Sequence, residues 1–253
     1  MKRWLLLCLF CLLAAPAASW AAPVALFDEG HGQPFLISGE RPLDLSTLAG
    51  VFTAAGYEVH SSQQPLDTAQ LASCDVLVIS GAFQPLQAEE VAAVQQFVSR
   101  GGGLAVMLHI APPLAGLLHP LEVDFSNGTL REHDRVIDEN PQNFRITSLT
   151  PHPLTAGLTD FAVYGAWALR GTAPTVEAVA QTGGHSWVDL NHDGNLGAGD
   201  AVQTFAVAVV GTAGQGRYAV FGDDALFQNR FLVGNNRLLA ENLARWLHPI
   251  KVP

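Results

Sequence analysis

Twelve consecutive residues in the second half of the chain carry its most specific chemistry: Asp189-Leu190-Asn191-His192-Asp193-Gly194-Asn195-Leu196-Gly197-Ala198-Gly199-Asp200. Acid or amide oxygens at positions 1, 3 and 5, glycine at 6 and an acid at 12 make the pattern of a calcium-coordinating loop. Calcium takes roughly six to eight oxygens at about 2.3–2.6 Å. Asp189, Asn191, Asp193 and Asp200 would supply side-chain oxygens, and Asn195 a main-chain carbonyl. Gly194 permits the sharp turn, and Leu196 would anchor the loop to a core. Three features lower the expected affinity. Asp200 is a shorter arm than glutamate, Gly197 leaves position 9 to a water, and Ala201 stands where a large apolar residue is preferred. The expected cofactor is Ca2+, and the competing reading is a polar hairpin that holds no metal.

A second set of polar residues is scattered in sequence. Asp28, Glu29 and His31 stand in Asp28-Glu29-Gly30-His31-Gly32, and Ser80, His109, Asp223, Asp224 and Asn229 each follow an apolar run. Carboxylates and imidazoles in one crevice act as acid and base or share a metal. Asp28, Glu29, His31 and His109 are the catalytic candidates. Ser80, Asp223, Asp224 and Asn229 are the ligand-binding candidates. Taken singly, each is explained by turn formation or capping. The cluster from Asp28 to Gly32, two acids and a histidine between glycines, fits a ligand at least as well as a core.

The elements that would bring these residues together follow from the apolar pattern. Val24 to Phe27, Tyr57 to Ser61, Asp75 to Gly81 and Leu104 to Ile110 read as strands. A helix is expected over Leu43 to Ala55, capped by Asp44 or Ser46 and stopped at Gly56, and another over Gln87 to Arg100 before Gly101-Gly102-Gly103. From Val123 to about Gln203 helical periods are scarce and short turn-bounded runs replace them. The α/β pattern then resumes with Phe205 to Val210, Arg217 to Asp224 and a helix over Asn236 to Leu247. Such alternation predicts a doubly wound, mostly parallel sheet with a β-rich extension. In that architecture ligands lie beyond the carboxyl ends of the strands, which is where the second set falls.

Composition restricts what the chain meets. Lys2 and Arg3 precede an apolar run from Trp4 to Ala15, and small residues at Ser19 and Ala21 flank a cut after Ala21. This is the pattern of a cleaved secretory signal, and the run falls short of the roughly 20 residues that span a bilayer. The expected location is periplasmic or secreted, with no membrane insertion after cleavage. Cleavage leaves 13 − 2 = 11 basic against 23 acidic residues, a net charge of −12. Such a chain repels nucleic acid. Cys8 and Cys11 leave with the signal, so Cys74 has no partner for an internal disulfide and is expected to be a buried, inert thiol.

Asp28-Glu29-Gly30-His31-Gly32-Gln33, Gly101-Gly102-Gly103-Leu104, His152-Pro153-Leu154-Thr155-Ala156-Gly157-Leu158 and Asn235-Asn236…Leu239…Asn242-Leu243…Trp246-Leu247 resemble the class I glutamine amidotransferase-like superfamily. The similar branches are the ThuA-like, GldG and intraflagellar-transport-domain proteins. The loop from Asp189 to Asp200 is similar to EF-hand loops that lie outside a helix pair, as in dockerins. The resemblance implies a flavodoxin-like sheet and a single domain over 22–253, its extension about 123–203 holding the loop 189–200. It also implies that glutamine hydrolysis is excluded, because His109 stands where the amidotransferases carry their cysteine nucleophile. The functional expectation is a calcium-holding, non-catalytic module for a small polar ligand, a sugar for instance, or for a protein partner. The alternative is a carbohydrate-active hydrolase or isomerase using Asp28, Glu29, His31 and His109.

Overall fold

The computed structural model describes residues 21–109 and 112–248. Apart from Ala21, the expected signal peptide lies outside them, as does the predicted strand end at Ile110. Five parallel strands form the centre: β1 (Val24–Asp28), β2 (Glu58–Ser62), β3 (Val76–Ser80), β4 (Gly103–Met107) and, much later in the chain, β15 (Gly216–Phe221). They run side by side in the order β2-β1-β3-β4-β15. This is the flavodoxin-like doubly wound order. Val76 to Ile79 are fully buried, as a strand covered on both faces requires.

Helices cover the two faces. α1 (Ser46–Ala54) and α5 (Gly234–Leu247) lie on one, and α3 (Ala88–Ser99) lies on the other. Leu239, Leu243 and Leu247 line the buried stripe of α5, while Val94, Phe97 and Val98 do so for α3. Each such side chain contributes about 1.5–3 kcal/mol by leaving water. The start of α3 is fixed by the Glu90 carboxylate, which accepts the Gln87 N–H at 2.8 Å. The first helix begins later than its pattern suggests. Asp44 is buried against Arg41 rather than capping, with Oδ2 accepting the Arg41 N–H at 2.9 Å. The four-residue helices α2 (Thr68–Leu71) and α4 (Ala115–Leu118) are too short to show a period and were not anticipated.

The β-rich extension is real and enlarges the main sheet. It comprises β5 (Val123–Arg131), β6 (Val136–Ile137), β7 (Asn140–Ile146), β8 (Ser148–Leu149), β9 (Phe161–Tyr164), β10 (Trp167–Gly171), β11 (Val176–Gln181), β12 (Trp187–Val188) and β13 (Ala201–Val202). β14 (Ala206–Ala213) then pairs antiparallel with β15, and the sheet continues outward through β10, β5, β12 and β13. β6, β7 and β9 form a separate three-stranded sheet. Cys74 departs from expectation in part: it is half-buried, although burial first and the neighbouring Asp75 second push its thiol up to about 12. It precedes β3, at the sheet edge opposite His109.

Two glycines test the packing. A Cβ on Gly216 would run into the carbonyl oxygens of Val98 and Gly102, whereas Gly50 in α1 has nothing within 4 Å. Gly216→Ala is expected to cost about 1–3 kcal/mol. Gly50→Ala should stabilise by about 0.5–1 kcal/mol. Denaturant melts of the two variants measure both, and a harmless Gly216→Ala would contradict the close approach of α3 to β15.

Candidate functional site

The carboxyl ends of β1, β3, β4 and β15 do hold the predicted polar residues, but in two separate groups. Along β1, Leu26 and Asp28 alternate with Ala25 and Phe27, so Asp28 shares the α3 side of the sheet. His31 lies between Asp28 and Glu90. Its Nδ1 is 2.7 Å from Asp28 Oδ2 and its Nε2 is 3.1 Å from Glu90 Oε1. Gln33 completes the cluster, donating from Nε2 to Asp28 Oδ2 at 2.5 Å and accepting the His31 N–H on Oε1 at 2.7 Å. All four side chains are buried. Burial works to lower the His31 pKa, but Asp28 and then Glu90 outweigh it, and the net shift is upward. For Glu90, burial is outweighed by the Gln87 and Leu66 amides and by His31, and its carboxyl is lowered. The cluster is a charged pin with no ring nitrogen left for chemistry.

Glu29 stands apart from the pin. Its Oε1 accepts the Ile37 N–H at 2.9 Å and closes the loop after β1. Asn229 is likewise committed to structure. Oδ1 accepts the Thr47 N–H at 2.8 Å in the first turn of α1, and Nδ2 donates to the Arg41 carbonyl and to Ser46 Oγ, each at 3.0 Å.

The second group surrounds His109. Its Nδ1 pairs with Asp224, 2.9 Å from Oδ1 and 3.2 Å from Oδ2, and among the described residues Nε2 has no partner. The His109 side chain is 21% exposed. Phe83 lies 4.8 Å from it and Phe35 5.6 Å, ring centre to ring centre, and Phe83 is itself 51% exposed. Asp223 faces inward, with Oδ2 accepting the Tyr164 N–H at 2.6 Å and Oδ1 that of Ala225 at 2.9 Å. Burial, then the neighbouring Asp224, pushes Asp223 up to about 7. Burial also raises Asp224, against the pull of His109. His109 is raised because Asp224 outweighs the opposing effect of burial. Ser80 is buried, and its Oγ has no partner among the described residues. The quartet Asp28, Glu29, His31 and His109 therefore does not converge.

In the loop from Asp189 to Asp200 the donor side chains bind main-chain amides. Asp189 accepts from Asp193 and Gly194 at 3.1 and 3.0 Å, Asp193 from Asn195 at 2.7 Å, and Asp200 from Leu190 and Gly197 at 3.0 and 2.7 Å. Asn191 Oδ1 accepts from Asp193 at 3.1 Å. The Arg131 guanidinium also sits 3.0 Å from Asp189 Oδ2. Among the described residues no three His, Cys, Asp or Glu side chains gather as a ready metal cage. A concavity of about 940 Å³ lies elsewhere, over β5, β10 and β11 with Phe125, Arg170 and Gln181 on its walls. It shares no residue with the His109 group, which the acid–base chemistry singles out.

Glu90, Gln33, Phe35, Phe83 and Arg131 were not anticipated as site residues. Glu90 gave a signal in its first-turn position on α3, but that reads as a helix start rather than a buried ligand of His31. Comparison with solved structures places the fold in a known class. It is similar to the mmIFT52 N-terminal domain at 15% identity and a TM-score of 0.73, over 91% of this chain and 100% of that one. A putative ThuA-like protein from Bacteroides uniformis ATCC 8492 matches at 15% identity and 0.54, over 92% and 95%. A cytoplasmic protein of Salmonella typhimurium LT2 matches at 15% identity and 0.55, over 89% and 98%. These likenesses show the fold alone, a flavodoxin-like α/β sheet. Residues 40–244 match the family described as Domain of unknown function (DUF4350), and the chain belongs to that family. No curated protein sequence matches the chain.

The raised groups give a pH signature. His31, His109, Asp223 and Asp224 hold protons more tightly folded than unfolded, so their protonated forms favour the fold. Their contribution is lost as pH rises through the folded values, about 7 for Asp223. Ordinary carboxylates have finished titrating by about pH 5.5. The melting temperature should therefore fall from about pH 5.5 to 8. Asp223→Asn should flatten that fall, and a melting temperature that climbs over this range would refute the assignment.

Proposed function

We propose that the chain is an exported, non-catalytic binding module, periplasmic or secreted, that takes a small neutral polar ligand such as a sugar at His109. The observation that carries this reading is the division of the strand-end residues. His31 has both ring nitrogens on buried carboxylates, which leaves His109 as the open imidazole of the set. Paired with Asp224, His109 adds little net charge and presents one hydrogen-bonding nitrogen between two aromatic rings. A sugar hydroxyl and its C–H face match that combination. Thermal melts of the mature protein against a panel of neutral mono- and disaccharides test it. A sugar that raises the melting temperature should bind at least tenfold more weakly to His109→Ala and Phe83→Ala, about 1.4 kcal/mol or more. Binding untouched by both variants would sink the crevice, and turnover of the sugar would favour a hydrolase or isomerase.

The same proposal assigns Ca2+ to the loop from Asp189 to Asp200. Its residue types fit the ion, and binding requires Asp189 to exchange the Arg131 guanidinium for it. Arg131 is then an internal competitor. Isothermal titration should give micromolar to millimolar affinity. Arg131→Gln should bind about five- to tenfold tighter if the ion pair contributes about 1 kcal/mol. Calcium at about 100 times Kd should add about 2.7 kcal/mol to stability, and magnesium less. Absence of heat and of any thermal shift at millimolar calcium, in both wild type and Arg131→Gln, would reduce the loop to a polar hairpin.

A further inference from the structure

At the amino-terminal edge of the parallel strands, opposite His109, two sequence motifs with no part in the crevice meet. His152 leads into a 3-10 turn over Pro153–Thr155. Asn242 of α5 donates its Nδ2 to the carbonyls of Leu154 and Ala156 at 3.0 and 2.8 Å. The His152 ring stands edge-on to Trp246, 5.1 Å between centres. Beside this junction is a cavity of about 380 Å³ walled by Pro153, Ala156, Arg217, Asn242, Arg245 and Trp246.

The charges around the cavity do not balance. Arg217 opens this edge of β15 and is half-buried; its Nη2 donates to the His248 carbonyl at 2.9 Å, and its guanidinium carbon lies 5.6 Å from the Trp246 ring centre. Among the described residues Arg217 forms no ion pair. Arg245 donates to Asn242 Oδ1 at 2.7 Å, and its nearest carboxylate is Glu241 at 4.0 Å, which Arg237 already holds at 3.2 Å. Arg237 and Arg245 thus share the Glu241 carboxylate, and Arg217 has none, so among the described residues the cavity is lined by two guanidiniums and no carboxylate on a chain whose net charge is −10. Taking a cation out of water without a counter-charge is costly. Guanidinium N–H groups in a fixed fork match the oxygens of a carboxylate or phosphate, and a tryptophan face suits the apolar part of the same molecule.

We propose that this cavity is a second ligand site, which takes a small molecule through an oxyanion, carboxylate or phosphate, held between Arg217 and Arg245 and packed against Trp246. The site is independent of the crevice. Thermal melts of the intact protein with sodium phosphate, sodium citrate and sodium benzoate, each against sodium chloride at equal ionic strength, test it. At least one oxyanion should give a saturable rise beyond the chloride control. A response to phosphate alone identifies a phosphate ligand, and a response to citrate or benzoate a carboxylate. The apparent affinity should fall at least tenfold in Arg217→Gln and in Arg245→Gln, and stay unchanged in His109→Ala. Arg245 is exposed, so its variant keeps the test decisive if Arg217→Gln fails to fold. No saturable rise with any of the three anions, or the same rise in Arg245→Gln, would overturn the proposal and leave Arg217 as a packing partner of Trp246.

Discussion

A buried imidazole held between two buried carboxylates organises the carboxyl end of this sheet. In a doubly wound fold the loops after the strands that flank the reversal of strand order diverge toward opposite faces, and the gap between them is the usual ligand crevice. Here those loops follow β1 and β3. His31 leaves the end of β1, yet its ring reaches Glu90 on α3, across the gap. Its main-chain carbonyl accepts the N–H groups of both Phe83 and Gln84 at 2.9 Å, which ties the second loop to the first. The protein has filled the gap with its own side chains. Deleting one partner of a buried charge pair costs about 3–5 kcal/mol because the other is left uncompensated. All three members are therefore needed together.

The arrangement at His109 depends on that pin. Phe83 sits two residues before Pro85 in the loop that His31 anchors, and Phe35 lies in the loop that the pin and Glu29 close together. Both rings flank His109. Loss of the pin would release the aromatic walls without touching the His109–Asp224 pair. The open imidazole and the closed one are thus linked through backbone hydrogen bonds, although the two histidines do not share a carboxylate.

Much of the architecture was legible in the sequence because it rests on local rules. The runs at Val76 to Ile79 and Leu104 to Met107 are apolar throughout, which a strand covered on both faces demands, and helix α3 showed its apolar stripe and its stop at Gly101. Asp28, Ser80, His109 and Asp223 also stand at strand ends, as the apolar runs before them implied. What could not be read was the partnering. Glu90 occupies a position where an acid stabilises any helix start, and nothing local says that it is buried against a residue whose sequence separation is 59. Asn229 looked like a strand-end ligand, but it holds α1 across a separation of 182 residues. The loop at Asp189 matched a calcium pattern by type and spacing, yet Arg131, on a distant strand, was invisible to that pattern. Short-range chemistry is written in spacing; long-range neutralisation is written only in the fold.

The path of the chain explains why the candidate site lies where it does. After β4 the backbone leaves the parallel core, builds the whole extension, and returns through β14 to place β15 beside β4. The return is sealed immediately past the strand ends: Leu108 N–H donates to the Phe221 carbonyl at 3.0 Å, and Asp224 N–H donates to the Leu108 carbonyl at 2.9 Å. Those two bonds put Asp224 against His109 across 115 residues of sequence. Closing so long an excursion costs chain entropy that grows only slowly with its length, so the extension can vary in size without moving the pair. Asp223, next to Asp224, binds the N–H of Tyr164 from the middle of the same excursion at 2.6 Å. Two adjacent acids thus fasten the departure, the middle and the return of the extension at one point. Placing like charges side by side in a buried position is tolerable because one of them is paired with an imidazole and the other is held near neutrality by the cost of burial.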